Sequence, residues 1–88
     1  MSKQLTFQER GWNDYLYWQT QDRKTLKKLN QLLEDISRNE HVGLGSPEPL
    51  KGNRSGWWSR KIDSANRLVY RINGDYIEIA QCRSHYDD

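Results

Sequence analysis

An α+β fold, with a short N-terminal strand and a two-helix hairpin packed on one face of a small, mainly antiparallel sheet, is predicted by three observations. Leu26, Leu29, Leu33 and Ile36, with Leu32 beside them, repeat at helical spacing. Arg67-Leu68-Val69-Tyr70-Arg71-Ile72 and the run from Tyr76 to Tyr86 flank Asn73-Gly74-Asp75, a strong hairpin signal. Trp57 to Ile62 reads as a further strand, turned into the hairpin by Asp63-Ser64-Ala65-Asn66. The whole chain, 1–88, reads as one domain.

In chain order, Gln4-Leu5-Thr6-Phe7 reads as a short edge strand with Leu5 and Phe7 on one face. Thr6-Phe7-Gln8-Glu9 has capping-box spacing and predicts that the first helix starts there. Trp12, Tyr15 and Leu16 share a face of that helix, and Tyr17 and Trp18 widen it into a surface for core or partner contact. Gln21-Asp22 ends the helix, and Asp22 is placed to cap the second one. Lys27, Lys28, Gln31, Glu34 and Asp35 occupy the other faces of the second helix, as expected for a helix laid on a sheet.

Residues 40–56 have no period and hold four glycines and two prolines, the signature of a long structured loop. Within it Pro47-Glu48-Pro49 fixes the backbone on both sides of a carboxylate and restrains where that carboxylate points. In the strand that follows the turn, Leu68, Tyr70 and Ile72 share one face and Arg67, Val69 and Arg71 the other. Helices on the first face leave the arginines facing open space. Whether Lys61 shares that space with Arg67 depends on the length of the turn between them. Ile77 and Ile79 point inward in the last strand. Strict alternation would also send Arg83 and His85 inward, so a bulge or strand end is required near Gln81–Arg83.

Composition narrows the functional classes. A chain of 88 residues buries only about 60–65% of its unfolded surface. Apolar residues make up 34% and mean hydropathy is −1.11, values that lean toward disorder. Four Trp and five Tyr oppose that tendency, because each aromatic buries roughly 150–250 Å². A folded domain of modest stability that gains order from a partner is the expected result. No long apolar run crosses a membrane, and the charged, Gln-rich start is no signal peptide, which fits a cytoplasmic address. A single cysteine excludes an internal disulfide and a multi-cysteine zinc site, and Cys82 reads as a small buried residue. The net charge of +2 is unevenly spread: residues 51–71 hold six Lys and Arg against Asp63 alone, a local +5 that leaves −3 on the remainder. A local positive field on a nearly neutral body suits a short stretch of phosphate, although a solvated basic face would look the same.

Near one sheet edge the polar groups are Glu48, Lys51, Arg60, Lys61, Arg67, His85 and Tyr86. Cleavage of RNA by its own 2′-hydroxyl requires a base for that proton, cations for the charge growing on phosphorus, and an acid for the departing 5′-oxygen. Glu48, Arg67 and His85 fit those roles, and Tyr86 can stack on a base. No metal or other cofactor is called for: the two histidines lie far apart and no paired acidic motif accompanies them.

The same residues carry a resemblance. Trp12-Asn13-Asp14-Tyr15-Leu16-Tyr17-Trp18-Gln19, Pro47-Glu48-Pro49-Leu50-Lys51, Ser55-Gly56-Trp57-Trp58-Ser59-Arg60, Arg67-Leu68-Val69-Tyr70 and Cys82-Arg83-Ser84-His85-Tyr86 resemble the YoeB toxins over nearly the whole chain, in order. These belong to the RelE/ParE superfamily of type II toxin–antitoxin systems, small α+β proteins related in fold to microbial ribonucleases that cut messenger RNA in the ribosomal A site. The resemblance implies Glu48 as general base, His85 as general acid and Arg67 as stabiliser of the scissile phosphate. It further implies that Tyr86 orients the nucleotide, and that Lys51, Arg60 and Lys61 contact phosphate or ribosomal RNA. A YefM-type antitoxin and a homodimer are the implied protein partners. Two departures stand out: Lys61 replaces the family's arginine, exchanging a planar fork for a flexible ammonium, and Asp87-Asp88 extend the chain beyond the tyrosine, where they would repel RNA unless folded away. Reduced activity is one expectation. An inactive module that binds RNA, the ribosome or an antitoxin is the alternative reading.

Overall fold

The computed structural model describes residues 3–86, so the expected influence of Asp87 and Asp88 lies outside the described residues. Strand β1 (Gln4–Phe7) leads into helix α1 (Glu9–Gln21) and helix α2 (Arg23–Arg38). Strands β2 (Glu48–Pro49), β3 (Trp58–Lys61), β4 (Arg67–Asn73) and β5 (Tyr76–Gln81) follow. The sheet order is β1-β5-β4-β3-β2, antiparallel throughout except for the parallel pair β1–β5. The α+β architecture, with its helix pair on one face, is as the sequence predicts.

The second helix forms as its pattern dictates. Asp22 caps it, accepting from the Thr25 N–H at 3.1 Å and the Thr25 hydroxyl at 2.8 Å. Leu29, Leu32, Leu33 and Ile36 are buried against Leu68, Tyr70, Ile77 and Ile79 of the sheet. Each such side chain contributes roughly 1.5–3 kcal/mol of transfer free energy. The β4–β5 hairpin closes with Asn73 opposite Tyr76, and Gly74 takes φ +60° at the first central position, where two-residue hairpins favour glycine.

The first helix differs from expectation in its start and in its buried face. Thr6 is not a cap but part of β1; the helix begins at Glu9 behind Gln8, which offers no side-chain cap. The sheet overrides the capping signal, because the Gln8 N–H donates to the Ile79 carbonyl at 2.9 Å and extends the ladder past Phe7. Trp12 is 46% and Leu16 39% exposed, whereas Gly11, Asp14 and Trp18 are buried. Close approach explains the choice: a Cβ on Gly11 would lie 2.5 Å from the Ile79 carbonyl oxygen. The helix thereby reaches Cys82, whose N–H donates to Asp14 Oδ2 at 3.1 Å and whose carbonyl accepts from Trp18 Nε1 at 2.7 Å.

The irregularity expected near Gln81–Arg83 sits one residue earlier. Tyr70 pairs with Ile79 but Val69 with Gln81, which leaves Ala80 as the extra residue of a bulge. The bulge turns Gln81 to the face away from the helices and buries Cys82 toward them. None of the helices among the described residues is long and apolar enough to cross a membrane.

Candidate active site

Residues opposite one another in an antiparallel ladder point to the same face, and successive residues alternate. On the face away from the helices this produces three rows. Glu48, Ser59, Val69 and Gln81 form the middle row. Lys61 and Arg67 form a second on one side, and Arg71 and Glu78 a third on the other, each about 6.6 Å from the middle one. The five-residue connection between Lys61 and Arg67 therefore puts both cations on the same face. That answers the question of register left open by the sequence.

Alternation also separates the adjacent basic pair. Lys61 is exposed on the site face, but Arg60 points under the helices and is fully buried. The expectation that Arg60 contacts phosphate or ribosomal RNA is therefore corrected: its guanidinium is already saturated within the protein. It pairs with Asp35 at 2.6 Å and donates to the carbonyls of Asn39 (2.6 Å), Val42 (2.8 Å) and Leu44 (3.0 Å), and Nε reaches the Tyr70 hydroxyl at 3.2 Å. Hydrogen bonding from Arg60 holds the Asp35 carboxyl below its ordinary value, while burial pushes the Tyr70 hydroxyl up. Arg60 thus pins the loop that leads to Glu48.

Glu48 lies on the edge strand β2, where flanking prolines are tolerated because one side of the ladder is unpaired. Glu48, Lys51 and Tyr86 line one cleft of about 220 Å³ together with Pro49 and Leu50. The Tyr86 hydroxyl donates to Glu48 Oε1 at 3.4 Å, a long contact. The His85 ring lies beside that of Tyr86, centroids 5.2 Å apart and tilted by 31°. A larger hollow of about 300 Å³, bordered by Gln31, Glu34, Asp35, Arg38 and Leu44, contains none of the predicted site residues.

The segment carrying His85 is held by groups the sequence reading did not single out. Gln81, 1% exposed, directs its Nε2 at the carbonyl oxygens of Arg83 (3.2 Å), Ser84 (3.4 Å) and His85 (3.3 Å). Ser84, at φ +61°, donates its N–H to Asn66 Oδ1 at 2.6 Å and accepts from the Arg67 N–H at 3.0 Å. Arg10 donates to the Arg83 carbonyl (3.2 Å) and the Ser84 hydroxyl (3.0 Å), and the Arg83 guanidinium lies 3.6 Å from the Tyr17 ring centre. In the sequence the hint is Gln81 itself, a polar residue whose chain neighbours, Ala80 and Cys82, are small and apolar.

Arg67 is brought to the same face but not into the cleft lining. Its Nη1 donates to the carbonyls of Asp63 (2.8 Å), Ser64 (3.3 Å) and Asn66 (3.2 Å), fixing one end of the guanidinium over the turn. Its backbone N–H, through Ser84, ties this cation to the residue preceding His85. The geometry thus gathers Glu48, Lys51 and Tyr86 in a cleft, sets His85 at its border and lays Lys61 and Arg67 on the adjoining row. A carboxylate and two cations on one sheet face, with an imidazole on the tail packed beside Tyr86, suit proton transfer at a phosphodiester. Among the described residues no three His, Cys, Asp or Glu converge to hold a metal ion. Cys82 is no nucleophile in this state, since burial pushes its thiol up to about 12.

Residues 7–86 match the family described as YoeB-like toxin of bacterial type II toxin-antitoxin system. The chain is 50% identical over 82 residues to the toxin YoeB of Streptomyces coelicolor, covering 93% of this chain and 98% of that one. Two solved Staphylococcus aureus structures superpose closely, a YoeB dimer (TM-score 0.91) and a heterotetrameric YoeB–YefM toxin–antitoxin complex (TM-score 0.90). Both are 42% identical to this chain and cover 98% of it and 100% of the matched chain.

Proposed function

Because the chain belongs to the YoeB-like toxins of bacterial type II toxin–antitoxin systems, we propose that it acts as a ribosome-dependent endoribonuclease cutting messenger RNA in the A site. The observation that carries this reading is the shared face: Glu48 and Tyr86 3.4 Å apart in one cleft, with His85 at its border and Lys61 and Arg67 on the next row. Glu48 takes the proton of the 2′-hydroxyl, whose oxygen attacks phosphorus. Arg67, with Lys51 and Lys61, offsets the charge developing on the phosphorane oxygens. The bond to the 5′-oxygen breaks as His85 delivers a proton to it, which leaves a 2′,3′-cyclic phosphate and a 5′-hydroxyl. Tyr86 orients the nucleotide.

The Staphylococcus relative forms a dimer and a complex with YefM. A second copy of this chain and a YefM-type antitoxin are accordingly its protein partners, and mRNA and the ribosome its cytoplasmic targets.

Expression in bacteria is expected to arrest growth, with Glu48→Ala and His85→Ala each lowering cleavage about 10²–10⁴-fold. New RNA ends carrying 5′-phosphate would refute the mechanism, and free RNA cut as fast as ribosome-bound RNA would refute the ribosome dependence. If both alanine variants arrested growth as fully as the parent, a poison acting by binding alone would replace the enzyme.

A further inference from the structure

The third row of the site face has no role in the reaction above. Trp57 precedes β3 in register with Arg71, because Trp58 pairs with Tyr70. The Arg71 guanidinium carbon lies 4.5 Å from the Trp57 ring centre. Arg71 Nη2 donates to Glu78 Oε2 at 3.2 Å, and Asn73 donates to Glu78 Oε1 at 2.8 Å. Ring and carboxylate thus fix the guanidinium in place, yet its side chain is 43% exposed. The row adjoins the cleft directly: Leu50, which lines the cleft, donates its N–H to the Trp57 carbonyl at 2.9 Å.

Two chemistries could use a fixed, half-exposed guanidinium beside a cleft, phosphate pairing or base stacking. Glu78 decides between them. Its carboxylate already meets the positive charge and would oppose a phosphate at close range, whereas a base stacked on the plane of this 43% exposed side chain meets no such repulsion. Planes of this kind stack unpaired bases.

We infer that Trp57 and Arg71 form a base-stacking subsite for single-stranded RNA, receiving the base of a nucleotide adjacent to the one cleaved. The inference rests on the ribonuclease reading for the identity of the ligand, but its test does not depend on cleavage. The full chain is titrated with a non-cleavable 2′-O-methyl RNA hexamer, intact or with one abasic position at a time. Arg71→Ala should weaken binding of the intact hexamer about five- to hundredfold. One abasic position should weaken the parent equally, and the variant should lose nothing more at that position. Arg71→Lys keeps the charge without the plane and should behave as Arg71→Ala. Three results overturn the subsite: binding restored by lysine, Arg71→Ala penalties undiminished at every abasic position, or a parent that binds the intact hexamer no better than the abasic forms. A penalty seen only on antitoxin binding also overturns it, assigning the row to a protein partner. Cleavage lost in His85→Ala reports separately on the ribonuclease reading, which can stand while this coupling fails.

Discussion

The side-chain amide of Gln81 donates to the carbonyl oxygen of His85 at 3.3 Å from a fully enclosed position, and it meets the carbonyls of Arg83 and Ser84 at the same nitrogen. The backbone of the proposed acid is therefore gathered around a buried donor. Replacing that donor by an acceptor should displace His85 without touching Glu48 or Lys51. Gln81→Glu is expected to lower the single-turnover cleavage rate about 10²-fold with little change in KM for mRNA. An unaltered rate would show that the amide does not position the imidazole.

Arg60 and Lys61, neighbours in sequence, should respond in opposite ways. Arg60→Ala takes from Asp35 its cationic partner and from several loop carbonyls their donor, and is expected to destabilise the fold by about 3–5 kcal/mol, read from urea unfolding. Lys61→Ala should stay within about 0.5 kcal/mol of the parent while cleavage falls. Equal stability losses in the two variants would contradict the alternation of β3.

The Asp35–Arg60 pair also sets a pH dependence. Hydrogen bonding from Arg60 holds the Asp35 carboxyl below its ordinary value of 3.8. A carboxylate whose value is lower folded than unfolded contributes stability that is present above 3.8 and lost as pH falls through the folded value. Asp35→Asn should therefore destabilise the protein at neutral pH, and the difference from the parent should shrink as the pH is lowered below 3.8. A difference in urea midpoint that stays constant over that range would argue against the linkage.

Cys82 offers a check on the core. Its thiol is fully buried and pushed from 9.0 to about 12, first by burial and then by the Asp14 carboxylate. Because the folded value is the higher one, its contribution to stability is complete below 9.0 and fades as pH climbs toward 12. Iodoacetamide at pH 8 should label the folded protein far more slowly than the unfolded chain. Equal labelling rates would place the thiol at the surface.

Much of the fold was legible because its signals are local. The leucines of α2 and the Asn73-Gly74-Asp75 turn need no tertiary information, and the structure realises both. Thr6 misled because β1 pairing with β5, a contact between chain ends, outweighs a four-residue capping pattern. At the site, the prolines around Glu48 and the basic stretch were visible. The parity of β3, which retires Arg60 and presents Lys61, was not, since it depends on how the chain enters the strand. Gln81 escaped notice for a related reason: only the extra residue at Ala80 turns it toward the tail.

The grip of α1 on Cys82 has a mechanical consequence. Asp14 and Trp18 hold the N–H and the carbonyl of that residue, so the chain up to it is anchored to the body of the protein. Beyond it the imidazole hangs on a tether of three residues, about 10 Å at full stretch. Withdrawing it breaks no strand–strand pairing but forfeits the bonds that Gln81, Asn66, Arg67 and Arg10 make to residues 83–85, so those contacts, rather than the sheet ladder, set how firmly the imidazole is held.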